Sequence, residues 1–488
     1  MIRLILLLGF YFLPLLVSLT PALSDFHGDE SETGLDQALG NVGGDMEQLE
    51  NPLDCIGKVD LNNRANNHFP THTEKHVVVI DYEDLLDGSN LLAQIEESFG
   101  PDGLGIIAVV NVPDFKAQRI ELLPLAKRFA DLADKVKEEF EHEESSFSVG
   151  WSHGRERLAG TGEPDSAKGS FYANPLHDAP WGSGAAMAPA ARDWPEFAAP
   201  NLWPRAHLPE LEGAFTSLGR TVVGAGALLA AQCDRYIEEK LGTKHFCSLL
   251  KIVEESRCPK GRLLHYFPFE NKSHPAGAED ILGASKLWCG WHNDHGALTG
   301  LVPAMYLDDQ TGEPVEYDDP GTGLFICNRK GEVIKPVVPH GSLLFQIGET
   351  AQILSGGHLQ ATPHCVRFGP AGSTGNPHKG HQHYHAVCRE SFAVFMEPEW
   401  DFLMHPPAGI SEAEVLASSL LEGEMPESTA SSKEEEKAIP PQGASFGTTN
   451  ASGRLPPGVV RGTGRLGARW HPGASFGEFT TRTYAAFY

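Results

Sequence analysis

The stretch Gly290-Trp291-His292-Asn293-Asp294-His295-Gly296-Ala297-Leu298-Thr299 decides the fold of this 488-residue chain. In a β-strand, residues two apart face the same side, so His292 and Asp294 are expected to point together into one site. A third donor is offered far downstream by His364. Two imidazoles and one carboxylate that leave open coordination positions suit Fe(II). We therefore predict that His292, Asp294 and His364 bind an iron ion.

A second motif, Arg389-Glu390-Ser391, repeats the two-residue spacing. A guanidinium binds a carboxylate through two parallel hydrogen bonds, and a hydroxyl adds one more. An octahedral ion with three protein ligands keeps three positions, of which a bidentate oxo-acid can take two and O2 the third. Arg389 and Ser391 are therefore predicted to bind the far carboxylate of a dicarboxylate such as 2-oxoglutarate.

His295 is a competing metal donor, because His-x-x-His spacing suggests zinc. In a strand, residues three apart face opposite sides, and the sequence contains no His-Glu-x-x-His helix. His295 is therefore interpreted as a structural residue or as a neighbour of the ligands.

These motifs, in this order, closely resemble those of the isopenicillin N synthase-like Fe(II)/2-oxoglutarate dioxygenases. Residues 290–299 resemble the first metal motif of that family. The segments 341–349 and 356–366 resemble the part that carries its second histidine, and Arg389-Glu390-Ser391 resembles its Arg-x-Ser. The family's N-terminal region is resembled by residues 78–81, 105–111 and 154–160. The resemblance spans about residues 76 to 400 and implies an α+β fold: a double-stranded β-helix (jelly roll) core with flanking helices.

The resemblance also implies an enzyme, a non-haem Fe(II) dioxygenase. Such an enzyme decarboxylates 2-oxoglutarate to succinate and CO2 and hydroxylates, desaturates or cyclises a small organic substrate. In this family pattern His292, Asp294 and His364 are the iron ligands, while Arg389 and Ser391 bind the co-substrate. Three alternatives stay open: an oxidase of the same fold that needs no 2-oxoglutarate, an inactive secreted binding protein, and a protein-modifying hydroxylase.

The sequence departs from the family pattern in two places. Many members carry Asn-x-Tyr-Pro on the strand before the metal motif, whereas His265 and Phe267 occupy those places here, and Tyr266 is expected to face the opposite side. An insert at residues 369–385 separates His364 from Arg389. The insert contains His378, His381, His383 and His385. These histidines allow a second metal site or a substrate lid, but we interpret the insert as a flexible polar loop. Phe171 to Asn174 is either a substrate-facing segment or a packed aromatic loop.

Composition divides the chain into five parts. Residues 1–24 combine Arg3, an apolar run and small residues near Ser24, which is typical of a signal peptide. An acidic flexible lead-in follows at residues 25–75. Residues 76–245 are the N-terminal region, which contains a long helix from Glu210 to Leu241. Residues 246–404 are a catalytic core of short strands, and residues 405–488 are a flexible tail. Strands are predicted at 249–253, 263–267, 297–302, 323–328, 342–347 and 391–396.

Charge and composition limit the partners. The chain has 38 basic and 65 acidic residues, a formal charge of −27, which disfavours nucleic acid and anionic lipid. The N-terminal apolar run is too short to span a bilayer, so no stable membrane span is expected in the mature chain. A small-molecule substrate and entry into the secretory pathway are expected. The 8 cysteines fit either disulfides or buried free thiols.

Overall fold

The computed structural model describes residues 72–157, 164–184, 187–243, 247–268, 287–368, 386–422, 424 and 464–485. The predicted signal peptide, most of the acidic lead-in and the histidine-rich insert lie outside the described residues. All described elements belong to the unit Asn67–Tyr488.

Several strands are short runs rich in β-branched and aromatic residues, which favour strands, and the central ones are buried along nearly their whole length. The strands are β1 Thr73–His76, β2 Val78–Asp81, β3 Ile106–Val110, β4 Gly150–His153, β5 Lys168–Ala173, β6 Lys260–Tyr266, β7 Leu287–His292, β8 Leu298–Asp308, β9 Pro314–Val315, β10 Gly323–Cys327, β11 Val333–Val337, β12 Leu343–Ile347, β13 His364–Arg367 and β14 Val387–Met396.

These strands form two sheets that are mostly antiparallel. One sheet has five strands in the order β1-β11-β10-β13-β7. The other has nine strands, in the order β2-β3-β12-β8-β14-β6-β5-β4 with β9 beside β8. Buried side chains of both sheets share two apolar clusters, so the sheets pack on each other. One cluster contains Ile106, Ala108, Ile326, Ile334 and Leu344, and the other contains Leu264, Tyr266, Trp288 and Val366.

The helices that the structure describes are α1 Tyr82–Leu86, α2 Leu92–Phe99, α3 Phe115–Leu122, α4 Pro124–Ala130, α5 Asp134–Lys137, α6 Pro195–Ala198, α7 Glu210–Leu241, α8 Leu249–Glu255, α9 Glu349–Leu354, α10 Glu412–Ser418 and α11 Phe476–Tyr484. Helices α1 to α4, α7 and α8 contribute to the core on the opposite face of the nine-stranded sheet, whereas α6, α10 and α11 bury their apolar residues in a separate cluster. The main core lies between the first group of helices and the sheet, where Val222 and Leu229 of α7 meet Phe345 and Phe392.

Helix α7 matches the predicted bounds, and its apolar stripe is buried. Two glycines let it lie close to the sheet: a Cβ at Gly300 would meet Val222 at 2.2 Å, and one at Gly226 would meet Met396 at 2.5 Å. Among the described residues, α7 is the one helix long and apolar enough to cross a bilayer, but half of its most apolar stretch is buried in the core. Core helices meet the same criteria, so this is weak evidence for a membrane span.

Three sequence expectations are wrong. Residues 249–253 form helix α8 and not a strand, because Ser248 caps the helix and Asp234 accepts from its first N–H groups. The spacing of the apolar residues from Leu125 to Phe140 predicts one amphipathic helix, but the structure divides this stretch into α4, α5 and a 3₁₀ turn.

The third error concerns the tail. Residues 405–422 and 464–485 are ordered, and the second of these ranges buries Trp470, Phe476 and Phe479 against Trp400 and other apolar side chains. Aromatic burial outweighs the polar composition of the surrounding sequence. The remainder of 405–488, apart from residue 424, lies outside the described residues.

Candidate metal centre

The three predicted metal ligands converge. His364, the first residue of β13, lies directly opposite His292, the last residue of β7, and their ring centroids are 4.3 Å apart. The Oδ1 atom of Asp294 lies 3.7 Å from His292 Nε2 and 3.8 Å from His364 Nε2. Ligand atoms of all three residues lie within 4.8 Å of one another. This spacing leaves room for one metal ion between them.

Backbone hydrogen bonds determine which ring nitrogen of each histidine is free to bind a metal. His292 Nδ1 lies 2.8 Å from the carbonyl oxygen of Gly290, and His364 Nδ1 lies 3.2 Å from that of Thr362. A carbonyl only accepts, so each Nδ1 carries the proton and each Nε2 keeps its lone pair toward Asp294. A hydrogen bond on the far nitrogen is the usual arrangement for a metal-binding histidine.

At two of the predicted ligands, His364 and Asp294, electrostatics favour the metal-binding form at neutral pH. Burial, together with the neighbouring His292, lowers the pKa of His364 to about 4. Burial raises the pKa of Asp294, but His364 and His292 lower it by more, so it lies below its ordinary value. A neutral imidazole and an ionised carboxylate are the forms that bind metal.

The loop between β7 and β8 positions Asp294, which does not lie in a strand as the sequence suggested. The N–H of Glu349 donates to the carbonyl oxygen of Asp294 at 2.8 Å. The hydroxyl of Thr350 donates to the carbonyl oxygen of His295 at 2.6 Å. Because β7 ends at His292, strand pairing does not fix the backbone at Asp294. The bonds from the start of α9 fix it instead and so position the carboxylate.

His295 points away from the ligands, in line with the structural interpretation. Its ring stacks on Phe476 of α11, with centroids 5.6 Å apart and planes 10° from parallel. Burial, followed by the positive charges of Lys260 and Arg469, lowers the pKa of His295 to about 3. The ring is therefore neutral and packs as an aromatic side chain.

Arg389 and Ser391 lie side by side on β14. Arg389 Nη1 donates to Ser391 Oγ at 3.3 Å, and both side chains are buried. Arg389 Nε is buried without a hydrogen-bond partner among the described residues. A buried, unsatisfied guanidinium N–H is costly, so this site fits an anion that is yet to bind.

Tyr266 is the residue that the sequence interpretation missed. It was expected to face away from the co-substrate site, but it is the direct cross-strand partner of Arg389, and its ring centroid lies 4.7 Å from Arg389 Cζ. Residues directly opposite each other in antiparallel strands share a face. His265 faces the other side and pairs with Glu390 at 2.8 Å. Tyr266 is placed beside Arg389 by the antiparallel register of β6 and β14, and a motif within one strand carries no information about that register.

One apolar cluster joins the two halves of the site. Leu264, the cross-strand partner of Ser391, packs with Tyr266 and Val366. Val366 follows His364 by two residues on β13. Arg389 and the predicted metal ligands therefore face the same interior between the two sheets.

A buried ionic cluster lies on this same face, beyond Tyr266. Lys168, the cross-strand partner of Tyr266, contacts Glu156 at 2.9 Å and also contacts Asp165. Arg262 Nη2 donates to Glu156 at 2.7 Å. Burial raises the pKa of Glu156, but Arg262 and Lys168 lower it to about 2. A small cleft at this cluster is lined by both cations, both carboxylates, Ser152, Gly154 and Ser170.

The candidate substrate segment Phe171 to Asn174 divides between two environments. Phe171 packs against Phe129 in the main core, with ring centroids 5.0 Å apart. Tyr172 faces the cleft and donates to Glu156 at 3.1 Å. The Oδ1 atom of Asn174 accepts from the backbone N–H groups of Leu176 and His177, which forms a turn. Tyr172 is therefore the one member of this segment on the face of the site.

Seven cysteines lie in the described residues, and all are free thiols. Most are fully buried, and burial raises the pKa of the Cys247 thiol to about 12. Five of the seven therefore agree with the alternative of buried thiols, while Cys247 and Cys289 are partly exposed.

Comparison with known proteins found no matching family model and no matching curated relative. Solved structures do resemble the chain. A full-length protein of Neurospora crassa, crystallised in complex with alpha-KG, is 17% identical, with a TM-score of 0.48 over 71% of this chain and 93% of that protein. AtDAO1, the dioxygenase for auxin oxidation 1 of Arabidopsis thaliana, crystallised with 2-oxoglutarate, is 18% identical, with a TM-score of 0.42 over 69% of this chain and 98% of AtDAO1. At this level of similarity we draw no functional conclusion from the likeness.

Proposed function

We propose that this protein is an Fe(II)- and 2-oxoglutarate-dependent oxygenase that hydroxylates, desaturates or cyclises a small organic substrate. The observation that carries the proposal is the arrangement of His292, Asp294 and His364, with both Nε2 lone pairs directed toward one carboxylate. This donor set, with open positions left on the ion, suits Fe(II) and O2. The two packed sheets are proposed to form a double-stranded β-helix of the isopenicillin N synthase-like type.

Each group of residues in the site has a separate proposed role. His292, Asp294 and His364 would hold the iron, which when bound supplies the chemistry that activates O2 and oxidises the substrate. Arg389 and Ser391 bind the distal carboxylate of 2-oxoglutarate, and the ring of Tyr266 supports the guanidinium from one side. The apolar cluster around Leu264 and Val366 excludes water from the space between the iron ligands and Arg389.

The ionic cluster of Glu156, Lys168 and Arg262 is proposed to form a polar wall of the substrate pocket. It lies on the same sheet face as Arg389, and its charges are paired in advance. Groups that are already fixed and paired offer hydrogen bonds to a ligand without a large ordering cost. Entry into the secretory pathway through residues 1–24 is part of the same proposal, and it rests on the sequence of those residues.

The test is turnover of 2-oxoglutarate in the absence of a known substrate. Purified protein is incubated aerobically with Fe(II) and 2-oxoglutarate, and succinate is measured, with His364→Ala and Arg389→Ala as controls. Succinate formed by the wild type and lost in both variants supports the proposal. Stoichiometric iron binding without any binding of 2-oxoglutarate favours the oxidase that needs no 2-oxoglutarate. Failure to bind iron favours the inactive binding protein.

A further inference from the structure

Residues 464–485, here named the C-terminal segment, pack directly behind the metal centre. Backbone hydrogen bonds join the segment to residues 400–404, including Gly477 N–H to Trp400 O at 2.8 Å and Phe476 N–H to Phe402 O at 2.9 Å. Ser475 and Glu478 form a capping box at the start of α11. The segment is therefore a fixed part of the fold, although more than 60 residues separate it from β14 in the sequence.

Arg469 is the charged residue by which this segment reaches the site. Its side chain is only 4% exposed, and Nη2 donates at 2.7 Å to Glu349, whose side chain is 3% exposed. Nη1 donates to Thr483 at 2.9 Å, and the guanidinium lies over the ring of Phe479. The position of Arg469 is thus set from within its own segment before it meets Glu349.

Glu349 in turn holds the loop that presents Asp294, residues 293–297, here named the metal loop. The same carboxylate oxygen that binds Arg469 accepts from Asn293 Nδ2 at 3.2 Å. The backbone N–H of Glu349 donates to the carbonyl oxygen of Asp294. The contact is close, because a Cβ placed on Gly348 would lie 2.0 Å from the carbonyl oxygen of Gly296. A shift of Glu349 is therefore transmitted to the metal loop.

We propose that Arg469 is a positioning residue of the metal centre, acting through Glu349 to fix the carboxylate of Asp294. The C-terminal segment is then a functional part of the iron site and not only an outer layer of the core. This inference rests on the proposed function, because it takes His292, Asp294 and His364 to be metal ligands. Groups that orient metal ligands commonly change metal affinity by 10- to 100-fold when they are removed.

The test measures metal affinity apart from turnover. Apoprotein is titrated anaerobically with Co(II), whose visible absorption reports the bound ion, and the unfolding temperature of each apoprotein is recorded. Arg469→Met alone leaves Glu349 buried without its cation and threatens folding. The double variant Arg469→Met with Glu349→Gln removes both charges and keeps the side-chain volumes. Arg469→Lys keeps a cation that can reach Glu349.

Arg257→Met is the matched control. Arg257 pairs with Glu399 at 2.8 Å and lies over Trp181, in the same apolar cluster as Trp470, but it makes no contact with the metal loop in the described structure. We expect Co(II) affinity to fall at least about 10-fold in the double variant, to recover in large part in Arg469→Lys, and to stay within twofold of wild type in Arg257→Met.

Two results overturn the inference, and they are distinguishable. If the wild type binds Co(II) and the folded double variant binds it within twofold as tightly, Arg469 does not position the site while the proposed function stands. If the wild type binds no Co(II), or binds it equally well after His364→Ala, the proposed metal centre and the inference both fail.

Discussion

Tyr266 lies under the guanidinium of Arg389, with its ring centroid 4.7 Å from Cζ, as the direct partner of Arg389 across β6 and β14. The pair joins the strand that precedes the metal motif to the strand that carries the proposed co-substrate site. Both residues are buried, so the cation–π contact is poorly screened by water.

Replacing Tyr266 should therefore weaken 2-oxoglutarate binding. We expect Tyr266→Ala to raise the dissociation constant of 2-oxoglutarate about 10-fold, corresponding to a lost stacking contact of about 1–2 kcal/mol. Tyr266→Phe keeps the ring and should lose much less. Anaerobic calorimetric titration of the metal-loaded protein measures both constants. Equal affinity in Tyr266→Ala and wild type would show that the ring does not support Arg389.

His295 and His364 should differ in what they do to metal binding. His295 stacks on Phe476 and lies outside the ligand group, whereas Nε2 of His364 faces Asp294. We expect His295→Leu to keep one bound metal per chain and to lower the unfolding temperature, and His364→Leu to lose the metal. Metal content after gel filtration decides the matter. Loss of metal in a folded His295→Leu protein would contradict the assignment.

The ionic cluster should make stability depend on pH through Glu156. Its pKa in the folded state is about 2, below the ordinary value of 4.5, because Arg262 and Lys168 stabilise the carboxylate. A lowered folded pKa contributes stability above about pH 4.5, and this contribution is lost as pH falls toward 2. We expect Glu156→Gln to lower the free energy of unfolding by about 3 kcal/mol near pH 7, and by progressively less below pH 4.5.

Denaturant unfolding of both proteins near pH 7 and near pH 3.5 checks this. Glu141→Gln is the control, because Glu141 pairs with Arg155, whose side chain is 45% exposed. That pair should contribute at most about 1 kcal/mol. A deficit in Glu156→Gln that is the same at both pH values would refute the electrostatic account.

Arg119 should stabilise the irregular part of β8. Its Nε donates to Pro303 O at 2.8 Å and its Nη2 to Ala304 O at 2.5 Å, where the pairing of β8 with β14 shifts register. Arg119→Ala leaves these part-buried carbonyls unsatisfied and should lower the free energy of unfolding by about 2–3 kcal/mol. Arg128→Ala, which breaks an exposed pair with Glu210, should cost less than about 1 kcal/mol. Equal urea midpoints for the two variants would argue against a structural role for Arg119.

Local patterns in the sequence predicted much of the fold. The apolar stripe of α7 predicted its bounds, and the short β-branched runs predicted β6, β8, β10, β12 and β14, because each pattern reports directly on which residues are buried. Residues His292, Asp294 and His364 were grouped in advance and are brought together, although the expected strand does not extend to Asp294. Their roles as metal ligands stay predictions.

The errors arose where long-range contacts decide the structure. The register of β6 with β14 placed Tyr266 under Arg389, and no motif within one strand contains that register. The C-terminal segment was predicted to be flexible from its surroundings, yet Trp470 and Phe476 are buried against residues far away in the chain. The capping-box spacing of Ser475 and Glu478 is a local signal for the start of helix α11. The sequence contains no local signal for the burial of Arg469 against Glu349.

The central claim is that His292, Asp294 and His364 hold an iron ion to which 2-oxoglutarate binds through Arg389. Anaerobic addition of Fe(II) and then 2-oxoglutarate to the apoprotein tests it most directly, with visible absorption as the measurement. We predict a charge-transfer band that is absent with Fe(II) alone, absent in Asp294→Ala, and strongly reduced in Arg389→Ala. A wild-type protein that binds one Fe(II) and shows no band at saturating 2-oxoglutarate would contradict the claim.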